Sequence, residues 1–159
     1  NINHLVQKII DILNHSLNSS NKKVIKNIDD FEFVTIENDL IQILMNIITN
    51  AKDALIDLKD EEARYIFINI SKNQKNIVIE FFDNAMGIKD EIISRVFEPY
   101  FTTKHKSQGT GIGLYMSKIL VDNNLKGNIA VENHTFIYNN KEFKGAKFII
   151  LLPIKLEKK

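Results

Sequence analysis

Residues 38–58 read NDLIQILMNIITNAKDALIDL, the strongest helical pattern in the chain. Apolar side chains recur there at helical spacing, which predicts a helix with one core-facing side formed by Leu40, Leu44, Ile47, Ile48, Ala51 and Leu55. The opposite side carries a polar stripe of Asn46, Asn50, Asp53 and Asp57. Asparagine is a poor helix former, and a solvated helix face normally favours Lys, Glu, Gln or Arg. A solvated face and a ligand-binding face therefore both stay open for this stripe.

The carboxamide oxygens of Asn46 and Asn50 have a specific chemical use if the stripe binds a ligand. Mg²⁺ takes oxygen ligands, keeps several waters and completes its shell from phosphates. Two amide oxygens on one helix stripe suit a Mg²⁺ ion held in this way.

The patterns around this helix predict one α/β domain over residues 1–159. An N-terminal helix is predicted within residues 1–20, with its apolar positions at 2–17. Strand patterns occupy residues 24–28, 33–36, 65–70, 77–82, 128–133 and 146–152, of which 65–70 and 77–82 are expected to pair antiparallel. Two further helices are predicted at 89–97 and from Gly111 to Asn123. Residues 134–144 indicate a hairpin insertion with its turn at Asn139-Asn140.

The composition fits a soluble domain with a single core, since 44% of the 159 residues are hydrophobic and 26% are charged. The absence of cysteine excludes a disulfide scaffold and thiolate chemistry. The net charge of +1 provides no overall field to attract nucleic acid or an anionic membrane, so neither is an expected partner. The longest apolar run, residues 148–154, is too short to span a bilayer. We expect a cytoplasmic location, either free or as part of a membrane-anchored protein.

The segment Asp83-Asn84-Ala85-Met86-Gly87-Ile88 directly follows a strand pattern. An acidic turn after a strand is usually structural. Its functional interpretation is that the Asp83 carboxylate accepts a hydrogen bond from an exocyclic amine, while Gly87 lets the backbone approach a flat ring. A carboxylate there favours adenine and rejects guanine, which presents a carbonyl at the corresponding position.

The segment Gly109-Thr110-Gly111-Ile112-Gly113-Leu114 lies at the start of a predicted helix. Glycines expose backbone N–H groups, and a helix N-terminus adds partial positive charge, so this segment suits a phosphate. It is neither a Walker loop nor a Rossmann loop. The polar residues 104–108 before it predict a mobile lid, in which Lys104 can meet phosphate charge while Lys106 reads better as a solvated loop residue.

In this order, the segments resemble the four sequence boxes of sensor histidine kinases. Residues 46–51 (NIITNA) resemble the N box, and residues 83–87 (DNAMG) the first glycine box. Residues 97–104 (FEPYFTTK) resemble the F box, and residues 109–114 (GTGIGL) the second glycine box. The resemblance covers nearly the whole chain and rests on four separate motifs, which together make it specific.

The resemblance implies the Bergerat fold of the gyrase, chaperone, histidine-kinase and mismatch-repair ATPase superfamily. This is a two-layer α/β sandwich with a mixed, mostly antiparallel sheet packed against helices and a flexible ATP lid, here residues 98–110. It implies ATP and Mg²⁺ as cofactors, with Asn50 binding the metal, Asn46 assisting and Asp83 contacting adenine. It assigns catalytic roles to Asn46, Asn50 and Lys104. Further nucleotide contacts are implied for Gly87, Ile88, Phe97, Phe101, Thr102, Thr103, Lys104, Gly109, Thr110, Gly111, Ile112, Gly113 and Leu114. For Phe97 and Phe101, the expected place at the lid base and a plain core role are both open.

The residue at position 46 favours phosphoryl transfer over ATP hydrolysis. The hydrolases of this superfamily resemble one another in carrying Glu four residues before the Mg²⁺-binding Asn, as a general base for water. Here that position is Asn46, whose amide accepts no proton near neutral pH. The triphosphate should therefore survive until another nucleophile arrives, so that transfer proceeds by positioning and charge stabilisation.

The acceptor histidine is expected outside this chain. None of His4, His15, His105 and His134 is followed by an acidic residue and then a proline, as the family's acceptor motif requires. We therefore expect a dimerisation domain upstream of Asn1 that bears the histidine and forms a homodimer, with a response regulator as the next partner. Two alternatives stay open: a free-standing serine kinase of the anti-sigma-factor type, and a nucleotide-sensing module without transfer.

The chain also departs from the family pattern. Ala85 replaces a frequent glycine, which is tolerable if its φ stays negative, and Ala146 replaces a hydroxyl residue expected near adenine. Asp53 stands where some members carry a phosphate-contacting Lys, and we assign it no ligand role because its charge would repel phosphate. The insertion 134–144 is longer than usual and has no functional assignment from the sequence.

Overall fold

The computed structural model describes residues 1–18, 22–56, 64–101 and 113–154 of the chain. The helices are α1 (Ile2–Asn18), α2 (Glu37–Ile56), α3 (Asp90–Ile93) and α4 (Gly113–Ile119), the last continuing as a π-helical turn over Leu120–Asn124. The strands are β1 (Lys22–Ile28), β2 (Arg64–Lys72), β3 (Asn76–Asp83), β4 (Asn128–Tyr138) and β5 (Lys141–Pro153).

The strands form one five-stranded sheet in the order β1-β2-β3-β5-β4. β1 runs parallel to β2, whereas β2–β3, β3–β5 and β5–β4 are antiparallel. This confirms the predicted mixed, mostly antiparallel sheet, including the pairing of residues 65–70 with 77–82. The register opposes Ile66 to Asp83, so the start of β2 and the end of β3 meet at one end of the sheet.

The helices cover one face of this sheet. Side chains of α1 and α2 share one buried cluster with alternate residues of the strands, among them Ile66, Ile68, Ile79 and Ile150. The apolar face predicted for α2 is buried throughout, at Leu40, Leu44, Ile47, Ile48, Ala51 and Leu55. Alternation along a strand sends the neighbouring residues Tyr65 and Phe67 to the other face.

One predicted strand is wrong. Residues 33–36 contain only an isolated bridge at Val34. Phe31 turns inward to 6% exposure, and its carbonyl oxygen accepts a hydrogen bond from the Ile2 N–H (3.1 Å). This bond ties the segment directly before the predicted strand to the start of α1.

Two helix predictions are correct only in part. The helix expected over 89–97 is limited to α3, after which the Arg95 and Glu98 N–H groups bond three residues back, as Val96 turns into the interior. The later helix is described from Gly113 onward, and its final turn widens because the Leu125 N–H reaches the Leu120 carbonyl. The hairpin turn at Asn139-Asn140 is confirmed, with both residues at positive φ.

Candidate functional site

Asp83 ends β3 as a buried carboxylate with 4% of its surface exposed. Its Oδ1 accepts hydrogen bonds from the N–H groups of Ala85 (2.9 Å) and Ala146 (3.4 Å). Burial raises the pKa of Asp83 to about 6, and these two bonds only partly oppose that shift. Oδ2 takes part in neither bond. Near neutral pH, Asp83 is thus an ionised, desolvated acceptor with strong electrostatic selectivity for a donor.

Gly145 makes the close packing around Asp83 possible. A Cβ atom at Gly145 would overlap the backbone carbonyl of Asp83 and lie 2.9 Å from its Oδ1. Only glycine fits where β5 passes the end of β3. The sequence interpretation did not single out Gly145 as a site residue, although a glycine within a strand is a recognised signal of close backbone approach.

The 83–88 loop has an unusual backbone that the rest of the site supports. Met86 (φ 73°) and Gly87 (φ 87°) both adopt left-handed conformations, which is costly for a non-glycine residue. Ala85 is not among the residues with positive φ, so alanine can replace the frequent glycine at this position without backbone strain. The Met86 N–H donates to the Lys144 carbonyl at 2.9 Å.

Two asparagines that the sequence interpretation missed hold this loop. Asn84 is buried, and its Oδ1 accepts a bond from the Tyr65 N–H (2.9 Å). The Asn133 carboxamide binds both backbone groups of Ile88, accepting from its N–H and donating to its carbonyl, each at 2.7 Å. No local pattern relates residue 133 to residue 88, so their pairing has no signal in the sequence.

Asn46, on the polar stripe of α2, faces the start of α4. Asn46 Nδ2 donates to the Gly113 carbonyl and to Ser117 Oγ, both at 3.1 Å. Ser117 is fully buried, and its hydroxyl donates to the Gly113 carbonyl at 2.9 Å. Asn50 lies about one turn further along α2 and is half-buried. The structure thus joins the segment resembling the N box to the last glycine of the segment resembling the second glycine box.

The aromatic residues of the segment resembling the F box have different surroundings. Phe97 packs against the core with its ring perpendicular to that of Phe148 (centroids 6.2 Å apart). Phe101 is half-buried beneath the Arg95 guanidinium, 4.7 Å from its ring centroid. Leu114 also packs against the core. Thr102, Thr103, Lys104, Gly109, Thr110, Gly111 and Ile112 lie outside the described residues, as does most of the predicted lid.

Residues 1–18, 22–56, 64–101 and 113–154 contain no group of three or more His, Cys, Asp or Glu side chains placed to hold a metal ion. None of the helices within these ranges combines the length and apolar character of a membrane span.

Comparison with known proteins identifies the family. A family model for histidine kinase-, DNA gyrase B- and HSP90-like ATPases matches residues 35–156. The chain belongs to this ATPase family. Family membership implies ATP binding.

Relatives within the ATPase family include sensor kinases. Sporulation kinase E of Bacillus subtilis is 31% identical over 97% of this chain, and the two-component sensor PprA of Pseudomonas aeruginosa is 31% identical over 74%. The chain spans only 19% and 12% of the lengths of these two proteins.

Solved structures confirm the fold. A nucleotide-free catalytic domain of the histidine kinase ThkA superposes with a TM-score of 0.81 at 24% identity, covering 100% of this chain and 96% of that domain. ThkA in complex with the response regulator TrrA gives a TM-score of 0.76 at 21% identity, covering 100% of this chain and 42% of that one. The expected two-layer α/β sandwich is therefore correct.

Proposed function

We propose that this chain is the catalytic ATP-binding domain of a sensor histidine kinase, which transfers the γ-phosphate of ATP to a histidine on a separate dimerisation domain. The names of the relatives support the assignment, since sporulation kinases and two-component sensors are among them. The structure of ThkA with TrrA supports a response regulator as the subsequent partner. The proposal places the domain in the cytoplasm, where ATP is available.

The carboxamide of Asn46 is the feature that favours phosphate transfer over ATP hydrolysis. Its Nδ2 is engaged by the Gly113 carbonyl and Ser117 Oγ, and its Oδ1 is an amide oxygen with negligible basicity. This residue stands where the resembling hydrolases carry a glutamate base. Since no base activates water at this position, the bound triphosphate awaits the acceptor histidine, and the domain contributes positioning and charge stabilisation.

Asp83 and the 83–88 loop supply base recognition in this proposal. The buried carboxylate accepts a hydrogen bond from the adenine amino group, and Gly87 lets the ring approach the backbone. Guanine presents a carbonyl oxygen where adenine presents its amine. That oxygen would face a desolvated anion, which disfavours guanine strongly.

Asn50, assisted by Asn46, would hold Mg²⁺ at the phosphate end. Half-buried carboxamides suit a hard cation that retains waters and binds phosphate oxygens. Bound Mg²⁺ would neutralise charge on the triphosphate. Lys104 is proposed to add positive charge from the lid, and Gly109 to Gly113 to offer backbone N–H groups to the phosphates.

The test of this function is phosphate transfer in trans. The chain is mixed with the histidine-bearing domain of its own full-length protein and γ-labelled ATP, and the modified residue is identified. We expect phosphohistidine, which is labile in acid and stable in alkali. Asn50→Ala should prevent transfer, whereas the matched control Asn128→Ala, at an exposed position on β4, should retain it.

Other results would redirect the assignment. Phosphate on serine would favour the anti-sigma-factor type of kinase. Tight ATP binding without transfer to the restored histidine domain would favour a nucleotide-sensing module. Failure of the chain to bind ATP at all would refute the proposed function.

A further inference from the structure

The hairpin formed by residues 134–144 leaves the plane of the sheet. In the sheet order, β5 separates β4 from β3, and two strands separate β4 from β2. Yet the Phe136 ring of β4 lies 5.1 Å from the Phe67 ring of β2 and 4.9 Å from the Phe82 ring of β3. The hairpin therefore bends over the sheet face opposite the helices.

An aromatic cap joins this hairpin to the sheet. We define the cap by its rings, Tyr65, Phe67, Phe82, His134, Phe136, Tyr138 and Phe143. Phe67 and Phe82 stack at 4.7 Å and are only 6% and 8% exposed, although neither belongs to the helix-side core cluster. Because aromatic pairs add attraction beyond the area they bury, the cap anchors the hairpin firmly.

The base of the same hairpin contacts the 83–88 loop. Asn133, directly before the hairpin, binds both backbone groups of Ile88. The backbone carbonyl of Lys144, at the other end of the hairpin, accepts a hydrogen bond from the Met86 N–H. A Cβ atom at Gly87 would lie 2.5 Å from Asn133 Oδ1, so the loop also packs directly on this carboxamide.

The loop needs this external support. Met86 and Gly87 are consecutive residues with positive φ, and Met86 pays a steric penalty there that glycine would not. Such a conformation persists only where the surroundings hold it. Within the loop, the Ala85 N–H donates to Asp83 Oδ1, a bond that does not restrain Gly87 or Ile88.

We propose that the hairpin 134–144 is a clamp that sets the geometry of the adenine site, with Asn133 as its positioning residue. The inference rests on the proposed function, because it takes the 83–88 loop as the adenine contact. Asn133 acts through Ile88 and Gly87 and touches no nucleotide in this scheme. The clamp gives the long insertion a role in binding in addition to covering the sheet.

The test compares Asn133→Ala with Asn128→Ala, a matched control on the same strand that is exposed and distant from the loop in register. Both are titrated with ADP and GDP by calorimetry, well below their unfolding temperatures. Because two hydrogen bonds to the loop are lost, we expect ADP affinity of Asn133→Ala to fall about tenfold and the preference for ADP over GDP to shrink. Asn128→Ala should match the wild type.

Kinetics separate positioning from plain structural support. In the transfer assay, Asn133→Ala should raise the KM for ATP about tenfold while kcat changes less than about twofold, since the phosphate end is intact. A variant that merely lost folded protein would lower the apparent kcat with an unchanged KM. That second pattern, or ADP affinity within twofold of the wild type, would overturn the proposal.

A second variant keeps the proposal testable if Asn133→Ala fails to fold. Phe136→Leu removes the ring that contacts Phe67 and Phe82 but keeps an apolar side chain. Faster amide exchange at Met86 and Ile88 together with weaker ADP binding would support the clamp, whereas unchanged exchange and affinity would overturn it. A wild-type chain that binds no ADP would instead refute the proposed function itself, so the two failures are distinguishable.

Discussion

The two ends of the proposed nucleotide site are built differently. At the adenine end, Asp83 is buried and its carboxylate is bound by backbone N–H groups of two strand-linked segments. At the phosphate end, Asn46 and Asn50 are half-buried side chains on one helix, and Asn46 reaches α4 through side-chain hydrogen bonds. In the proposed site, the base would thus be read by a desolvated, preset acceptor, whereas the phosphates would meet polar groups that are only half-buried.

Substitutions at the two ends should therefore affect different properties of the protein. Changes at the adenine end disturb backbone packing and a buried charge, so they should alter stability and affinity strongly. Changes at the phosphate end remove neutral side-chain hydrogen bonds and leave the backbone packing unchanged, so they should alter transfer more than binding.

Gly145→Ala should destabilise the fold most. The added Cβ would collide with the Asp83 carbonyl, a backbone group that cannot move without displacing β3. We expect the free energy of unfolding to fall by about 3 kcal/mol or more, measured by urea denaturation. Gly113→Ala is the matched control at the phosphate end, because its Cβ would meet Asn46 only at ordinary distances from 3.7 Å. Equal stability of the two variants would contradict the tight packing at the adenine end.

Asp83→Asn should lose most nucleotide affinity. The amide keeps an Oδ1 acceptor for the Ala85 and Ala146 N–H groups but loses the charge that attracts the adenine amine. We expect ADP to bind roughly a hundredfold more weakly by calorimetry, and the preference for adenine over guanine to disappear. Asp122→Asn, which removes an exposed carboxylate paired with Lys118, should bind ADP normally. Wild-type affinity in Asp83→Asn would remove Asp83 from base recognition.

Nucleotide binding should weaken in mild acid through Asp83. Its pKa is raised to about 6 by burial, so the acceptor is ionised at pH 7.5 and mostly protonated at pH 5.5. ADP affinity should therefore fall about fourfold across this interval beyond the change seen in Asp83→Asn. The comparison with that variant removes the titration of the ADP phosphates. Parallel pH profiles of the two proteins would assign the effect to another group.

The raised pKa of Asp83 affects the folding stability of the nucleotide-free protein in the opposite direction: acid strengthens folding although it weakens nucleotide binding. The folded state binds a proton at Asp83 more tightly than the unfolded state, whose pKa is near 3.8. The contribution of Asp83 protonation to stability is fully present below pH 3.8 and is lost as the pH rises through about 6. Asp83→Asn should therefore be at least as stable as the wild type at pH 8.

Ser117→Ala should have the smallest effect, at the phosphate end. It removes one of two acceptors for Asn46 Nδ2 and also the hydroxyl that donates to the Gly113 carbonyl, while the bond from Asn46 to that carbonyl stays in place. We expect single-turnover transfer to slow about threefold with ADP affinity unchanged, since the two bonds lost are neutral and Asn46 keeps its bond to the Gly113 carbonyl. Ser94→Ala, at an exposed position after α3, is the control. A large loss of ADP affinity in Ser117→Ala would break the proposed division between the two ends.

Much of the fold could be predicted because its signals are local. Helical spacing identified α2 and its buried face, and strand patterns identified β2, β3 and their antiparallel pairing. The strand expected at 33–36 is reduced to an isolated bridge at Val34, next to a segment in which Phe31 packs inward and bonds to the start of α1. A short apolar run has the same sequence pattern whether it forms a strand or another buried segment, so periodicity alone could not exclude a strand at 33–36.

The amino-acid sequence alone predicted the helix α2 and the family of the chain, and it singled out Asn46, Asn50 and Asp83 as candidate site residues, because periodicity and motif residues act within short segments. Only the tertiary structure decided that Gly145 must pass the Asp83 carbonyl and that Asn133 binds Ile88. The physical reason is register: the pairing of β5 with β3 and β4 brings together residues more than forty positions apart, and the bend of the hairpin then fixes which backbone groups meet.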